Sequence, residues 1–134
     1  IYARKNLAHQ VKLVKQTEVA CGIGNVIQNK GAVAAFLRVD KTTFLFVNSH
    51  FAAHKEKVAE RNSNYHRIMS ELEQKIPKTW LKRYRRKMMK IHGTDHIFPD
   101  QILPNAIDRI FFFGDLNYRV QLSRLDILRG IMSA

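Results

Sequence analysis

The stretch GAVAAFLRVDKTTFLFVNSHFAAH, residues 31–54, decides the fold. Residues 31–39 (GAVAAFLRV) and 43–47 (TFLFV) are short apolar runs separated by Asp40-Lys41-Thr42, and they predict a hairpin or near-hairpin of buried strands. Their apolarity is continuous rather than alternating, which predicts cover on both faces of the sheet. The second run then ends in Asn48, Ser49 and His50. Side chains two apart in an extended segment share a face, so Asn48 and His50 point one way and Ser49 the other.

The same device recurs downstream in FGDLNYR, residues 113–119. Residues 107–113 (IDRIFFF) predict a strand that Gly114 breaks, after which Asp115 and Asn117 project together. If the two strands are neighbours, their polar ends converge into one cluster of carboxylate, amide and imidazole. Upstream, Val11–Val14 and Val19–Cys21 read as strand pieces closed by a turn at Gly22-Ile23-Gly24-Asn25.

Helical spacing takes over at 55–76, with Val58, Tyr65, Ile68, Met69, Leu72 and Ile76 on one stripe. The face 58, 62, 65, 69, 72 is apolar except for Asn62, which predicts a buried, hydrogen-bonded amide flanked by Arg61. Pro77 ends that helix. A second helix, 79–91, carries Trp80, Tyr84, Met88 and Ile91 along one side, a loop fills 93–105, and a last helix at 121–132 has Leu122, Leu125, Leu128 and Ile131 in period. Strands, helices, strand, helix is the order of an α/β or α+β layered sandwich.

The 134 residues, 46% hydrophobic, suffice for one core and not for two ordinary domains. No apolar run approaches the roughly 18 residues of a membrane span. The single cysteine, Cys21, excludes an internal disulfide and suits a reducing compartment, so a cytoplasmic protein, peripheral on the cytosolic face of membranes, is the expectation. The net charge of +12 points to an anionic partner. Eight of the cations lie between Lys75 and Lys90, where no acid intervenes from Glu73 to Asp95. The segment 78–91 therefore reads as a basic amphipathic helix suited to an anionic membrane surface, or else as a solvated helix packing Trp80 and Tyr84 on its own domain.

Taken singly, a histidine at a strand end or an Asp-x-Asn after glycine is an ordinary turn or cap. Their order is what carries information. QNKGAVA (28–34), FVNSHFAAH (46–54), ERNSNYHRI (60–68) and FFFGDLNYRV (111–120) resemble successive motifs of the inositol polyphosphate 5-phosphatases, within the endonuclease, exonuclease and phosphatase superfamily. GD-x-N alone would mark only the superfamily. NSH-x-AAH, RN-x-x-Y and GDLNYR in this order are specific to the 5-phosphatases. Gln28 stands where that family has glycine, and Phe51 where it has leucine.

The resemblance implies a deoxyribonuclease-like α/β fold, a partial four-layer sandwich of two packed mixed sheets flanked by helices. Residues 1–134 would be the central portion of one catalytic domain, with 77–106 its basic, least family-like part. An upstream metal-binding carboxylate, a W-x-D-R-type motif and a late S-D-H are not found, so a fragment inactive by itself is the expectation. The implied reaction is hydrolysis of the 5-phosphate of phosphoinositides or soluble inositol polyphosphates.

Asp115 is the candidate to orient or deprotonate water, while Asn117 and His50 can donate N–H groups to the phosphoryl oxygens. Arg61, Asn62, Arg119, Asn29 and Lys30 are candidates for binding substrate or fixing the groups that do, and Asn48, His54 and Tyr118 for support. Mg2+ is the implied cofactor, held mainly by a carboxylate outside this chain. A nucleic-acid phosphodiesterase on the same fold, or a basic anion- or membrane-binding module without activity, is the alternative. NSH-x-AAH together with GDLNYR points away from nucleic acid.

Overall fold

The computed structural model describes residues 2–22, 29–93, 102–120 and 122–132. Four strands, β1 (Val11–Ala20), β2 (Gly31–Val39), β3 (Thr42–His50) and β4 (Arg109–Asp115), form one mixed sheet in the order β1-β2-β3-β4. A 3-10 turn (Lys5–Gln10) precedes β1. Helices α1 (Val58–Gln74), α2 (Lys78–His92) and the short α3 (Ile102–Ala106) occupy the connection from β3 to β4, and α4 (Arg124–Met132) follows β4.

The expected hairpin is present as β2 and β3, antiparallel from Gly31↔His50 to Val39↔Thr42. The two pieces expected upstream are one strand, β1, with an irregularity between Leu13 and Lys15. Lys15 to Glu18 read as a gap because they are polar, but β1 lies at the sheet edge, where backbone pairing holds a strand whose side chains stay wet. The turn expected at 22–25 and the Gln28 departure lie outside the described residues, apart from Gly22.

β4 pairs with β3 in parallel, the arrangement that demands a long crossover, here residues 51–108. It starts two residues later than expected because the Asp108 carboxylate accepts from Thr43 N at 2.8 Å and Thr43 Oγ1 at 2.7 Å, tying the beginning of β3 to the residue that precedes β4. It ends two residues later because Gly114 does not break it. Gly114 stays in the ladder opposite Ser49, with φ 122, and a Cβ there would lie 2.1 Å from the Ser49 carbonyl oxygen. Only glycine permits that approach.

Alternation divides the sheet into two faces. Ala32, Ala34 and Phe36 of β2 and Leu45, Val47 and Ser49 of β3 are buried toward the helices, against Ile68, Leu72, Trp80, Tyr84 and Leu103. Phe36 meets Trp80 edge-on with centroids 5.9 Å apart. The opposite face carries the stacked rings of Phe44, Phe46 and Phe111, and leaves Val33, Phe111 and Phe113 exposed. Cover on both faces was expected from the apolar runs; the described residues form one sheet with helices on one side.

α1 buries Arg61, Asn64, Ile68 and Leu72, a face rotated from the expected one, and Asn62 and Tyr65 are exposed. Pro77 caps α2 rather than merely ending α1. The expected 93–105 loop ends in a helix, residues 102–106, fastened where Ile102 N donates to Glu73 Oε1 at 3.1 Å. Trp80 and Tyr84 belong to the core, so they are not available to a membrane. The apolar stripe of α4, Leu125, Leu128 and Ile131, is exposed.

Candidate active site

β3 and β4 finish side by side, with His50 opposite Asp115 in the ladder and both side chains on the face away from the helices. His50 Nε2 lies 3.7 Å from Asp115 Oδ2. Lys30, just before β2, brings its ammonium to 2.6 Å from the same Nε2. A lysine ammonium has donors only, so Nε2 accepts this bond and the ring hydrogen sits on Nδ1. The three groups line an open cleft of about 800 Å³ with Asn29, Asn48, Glu18, Arg67 and Glu71.

The turns that follow each strand are tied together. Phe51 N donates to the Asp115 carbonyl at 3.0 Å, which adds a rung beyond the ladder. Asn117 adopts φ 54, and this left-handed turn returns its backbone N–H to Asp115 Oδ1 at 3.2 Å. The Asn117 side chain donates through Nδ2 to the Phe51 carbonyl at 3.1 Å. One amide hydrogen of Asn117 is thereby fixed on protein, and one remains.

The residues expected at the site separate into three groups. His50, Asp115, Lys30, Asn29 and Asn48 meet in the cleft. Asn117 anchors its rim. Arg61, considered as a phosphate contact, is fully buried, its guanidinium donating to the carbonyls of Ala52 (3.1 Å), His54 (2.6 Å) and Lys55 (3.3 Å). Its side chain is closed off from the cleft, and the hydrogen bonds of its guanidinium all go to backbone carbonyls. Asn62 is not the buried amide; its Oδ1 accepts from Tyr118 Oη at 2.6 Å on the surface. Arg119, His54 and Tyr118 are exposed beside the cleft-forming turns.

The buried amide of α1 is Asn64, two residues from the one expected, and its Oδ1 accepts from Ala52 N at 3.0 Å. Apolar periodicity missed it because the face it shares begins with an arginine. Glu18, Arg67 and Glu71 of the cleft wall were also missed, although Arg67 and Glu71 at i,i+4 on α1 are a readable pair, with Nη2 and Oε1 2.8 Å apart.

Residues 1–133 match the Endonuclease/Exonuclease/phosphatase family 2. The chain belongs to that family. Within it, the chain is 32% identical over 122 residues to phosphatidylinositol 3,4,5-trisphosphate 5-phosphatase 1 of Xenopus laevis, a match covering 91% of this chain and 10% of that protein. It is 34% identical over 129 residues to a polyphosphatidylinositol phosphatase of Saccharomyces cerevisiae, covering 94% of this chain and 10% of the other. The solved inositol polyphosphate 5-phosphatase domain of SpSynaptojanin, in complex with inositol (1,4)-bisphosphate and a calcium ion, superimposes with a TM-score of 0.58 at 25% identity. That match covers 96% of this chain and 30% of the solved one. This member of the family thus spans about a tenth of the curated relatives it matches.

A divalent cation accompanies that solved relative. Among the described residues no group of three or more His, Cys, Asp and Glu side chains could hold a metal ion. Mg2+ favours six oxygen donors in an octahedron, whereas Asp115 stands here beside an imidazole that already accepts from an ammonium. These residues do not by themselves fit a magnesium site.

Proposed function

We propose that this chain supplies the imidazole–carboxylate portion of a phosphomonoesterase site acting on the 5-phosphate of phosphoinositides or soluble inositol polyphosphates. The observation that carries the reading is the zero-offset pairing of His50 with Asp115 at the ends of two parallel strands, with the Lys30 ammonium on the imidazole. Relatives named as phosphoinositide 5-phosphatases support it.

In this reading the Asp115 carboxylate, steadied by the Asn117 backbone N–H, orients the attacking water and accepts its proton. The incoming phosphate dianion draws the Lys30 ammonium away from His50. With the ammonium drawn to the phosphate, the imidazole is free to turn an N–H toward the phosphoryl oxygens, where charge accumulates as the ester oxygen departs. The remaining amide hydrogen of Asn117 is placed at the rim for the same purpose. Mg2+ belongs to the reading as a cofactor whose principal carboxylate lies outside these 134 residues, and the full activity then needs the flanking segments.

The exposed cations of α2 also have a place in this reading. Their helix packs on the face of the sheet opposite to His50, and one of them, Arg83, reaches Lys41, Thr43 and Asp108 at the opposite strand ends. They touch an anionic surface by charge alone and do not deliver substrate to the cleft.

The test is hydrolysis by the whole protein that carries this chain, supplied with Mg2+: phosphate release from an inositol polyphosphate and from phosphoinositide vesicles, and strand cleavage of DNA. Release from the first two, lost in Asp115→Asn, is expected. Cleavage of DNA alone would favour the nuclease alternative, and turnover of none of the three would leave a binding module.

A further inference from the structure

Arg61 is a charged side chain with no exposed surface, and none of the ion pairs among the described residues includes it. Its Nε is buried without a partner. Burying an unpaired charge is costly, and an apolar side chain would fill the same space more cheaply. What compensates is a set of three carbonyls, all in the turn between β3 and α1.

That turn is held from both sides. The carbonyl of Ala52 accepts from Arg61 and its N–H donates to Asn64, so one peptide unit on each flank of Ala52 is gripped by α1. The N–H of Phe51 donates to the Asp115 carbonyl, and its own carbonyl accepts from Asn117. Every backbone group of residues 51 and 52 is therefore committed, one residue after His50, either to α1 or to the arm that bears Asp115. The second arm is gripped too. The Tyr118 ring lies over the Arg61 guanidinium, 5.3 Å from Cζ to centroid, and its hydroxyl donates to Asn62.

Two strained residues flank the site. His54 has φ 73 and Asn117 has φ 54, both left-handed without being glycine. Such conformations persist only where the surroundings over-determine them. The His54 carbonyl takes the shortest of the Arg61 bonds, and Asn117 is pinned by Phe51 and Asp115.

We infer that Arg61 and Asn64 are positioning residues, which hold turn 51–55 so that it locks His50 and Asp115 in register without either α1 residue touching substrate. The inference rests on the phosphatase reading above for what the register is used for. The register itself can be observed without any reaction.

The experiment uses the whole protein with Arg61→Lys, which keeps the charge and loses the forked donors, Arg61→Ala and Asn64→Ala. Folded Arg61→Lys is expected to lose about 10²-fold in kcat with KM little changed, as for a misplacement of about 1 Å. Amide exchange at Phe51 and Ala52 should accelerate while that of β2 stays slow. Added guanidinium, well below concentrations that unfold the protein, should restore part of the kcat of Arg61→Ala. In Asn64→Ala the Ala52 amide, freed of its acceptor, should exchange faster even if the arginine variants do not fold. Wild-type kcat in folded Arg61→Lys, or unchanged exchange at Ala52 in Asn64→Ala, would overturn the inference. An inactive wild type with accelerated exchange in the variants would instead remove the phosphatase reading and leave the mechanical link standing.

Discussion

His50 and Asp115 face each other across a parallel strand pair with no offset, Nε2 3.7 Å from Oδ2, although 64 residues separate them in sequence. Because a strand alternates its side chains, a slip of one residue in either strand would send one partner into the helix-covered face. The ladder is thus itself the device that assembles the pair. We expect Asp115→Asn and His50→Ala each to lower kcat of the whole protein by at least ~10²-fold with smaller effects on KM, since each removes a preorganised group. The double variant should lose far less than the product of the singles, because the two act as a unit. Steady-state kinetics on a soluble inositol polyphosphate decides it, and wild-type turnover in folded Asp115→Asn removes that residue from the reaction.

Gly114 sets the spacing of that ladder. A Cβ at Gly114 would fall 2.1 Å from the Ser49 oxygen, and 2.7 Å from both Ser49 N and Asn48 Oδ1. Gly114→Ala should cost on the order of 3 kcal/mol, because overpacking against the Ser49 backbone adds to the strain of a φ of 122. Gly93, at the C-terminus of α2, also has a positive φ of 66, but nothing lies within 4 Å of its would-be Cβ. Gly93→Ala should therefore cost only the backbone penalty, roughly 1 kcal/mol. Urea unfolding of the two variants separates steric contact from strain, and equal losses would contradict the distinction.

The sheet and its polar strand ends were legible because β2 and β3 carry continuous apolar runs and because Asn48/His50 and Asp115/Asn117 repeat at the period of a strand. What eluded sequence reading follows from physics that polarity does not encode. Lys15 to Glu18 are strand through backbone pairing at an edge, with no buried stripe to announce it. An apolar stripe leaves no place for a buried arginine, so Arg61 was read as flanking the assigned face of α1, which put Asn62 inside in place of Asn64. The stripes of α2 and α4 were both visible as patterns. Only tertiary contact distinguishes buried Trp80 and Tyr84 from exposed Leu125 and Ile131.

Asp108 gives a pH signature at the pole opposite the cleft. Partial burial is the largest single influence on its carboxyl and pushes it up, but the Thr43 hydroxyl and amide and the Arg83 guanidinium together overcome this and hold it at about 2. A folded-state value depressed below the ordinary 3.8 contributes stability that is present above the unfolded value and is lost as pH falls through the folded one. The stability gap between wild type and Asp108→Asn should accordingly be open at about pH 5 and close toward about pH 2. The carboxylate is part-exposed, so the effect is screened and should shrink in high salt. Thermal unfolding of both proteins across that range measures it, and a gap that stays constant would show that the Thr43 and Arg83 bonds do not favour the ionised form.

α2 carries Lys78, Lys82, Arg86 and Lys90 at successive i,i+4 positions and no acidic residue in its 15. α1 balances its cations, as in the Arg67–Glu71 and Lys75–Glu71 pairs, whereas α2 holds like charges on one ridge. Each such pair is destabilising by a few tenths of a kcal/mol, so Lys82→Gln, Arg86→Gln and Lys90→Gln together should raise the unfolding temperature slightly. Arg83 is left intact because it holds Asp108. Binding to anionic vesicles should weaken by about 1 kcal/mol per cation removed, while turnover of a soluble inositol polyphosphate stays unchanged. Hydrolysis of vesicle-borne lipid should not fall in step with binding, because α2 packs on Phe36 while His50 projects from the other face of the sheet. Trp80→Ala supplies the contrast: with its ring in the core it should lower stability by about 3–5 kcal/mol, as truncation of a buried aromatic does, and leave the vesicle affinity of the folded fraction alone. If lipid hydrolysis instead falls in parallel with vesicle binding in the glutamine variant, α2 does present the enzyme to its substrate and the opposed placement of helix and cleft has no functional meaning.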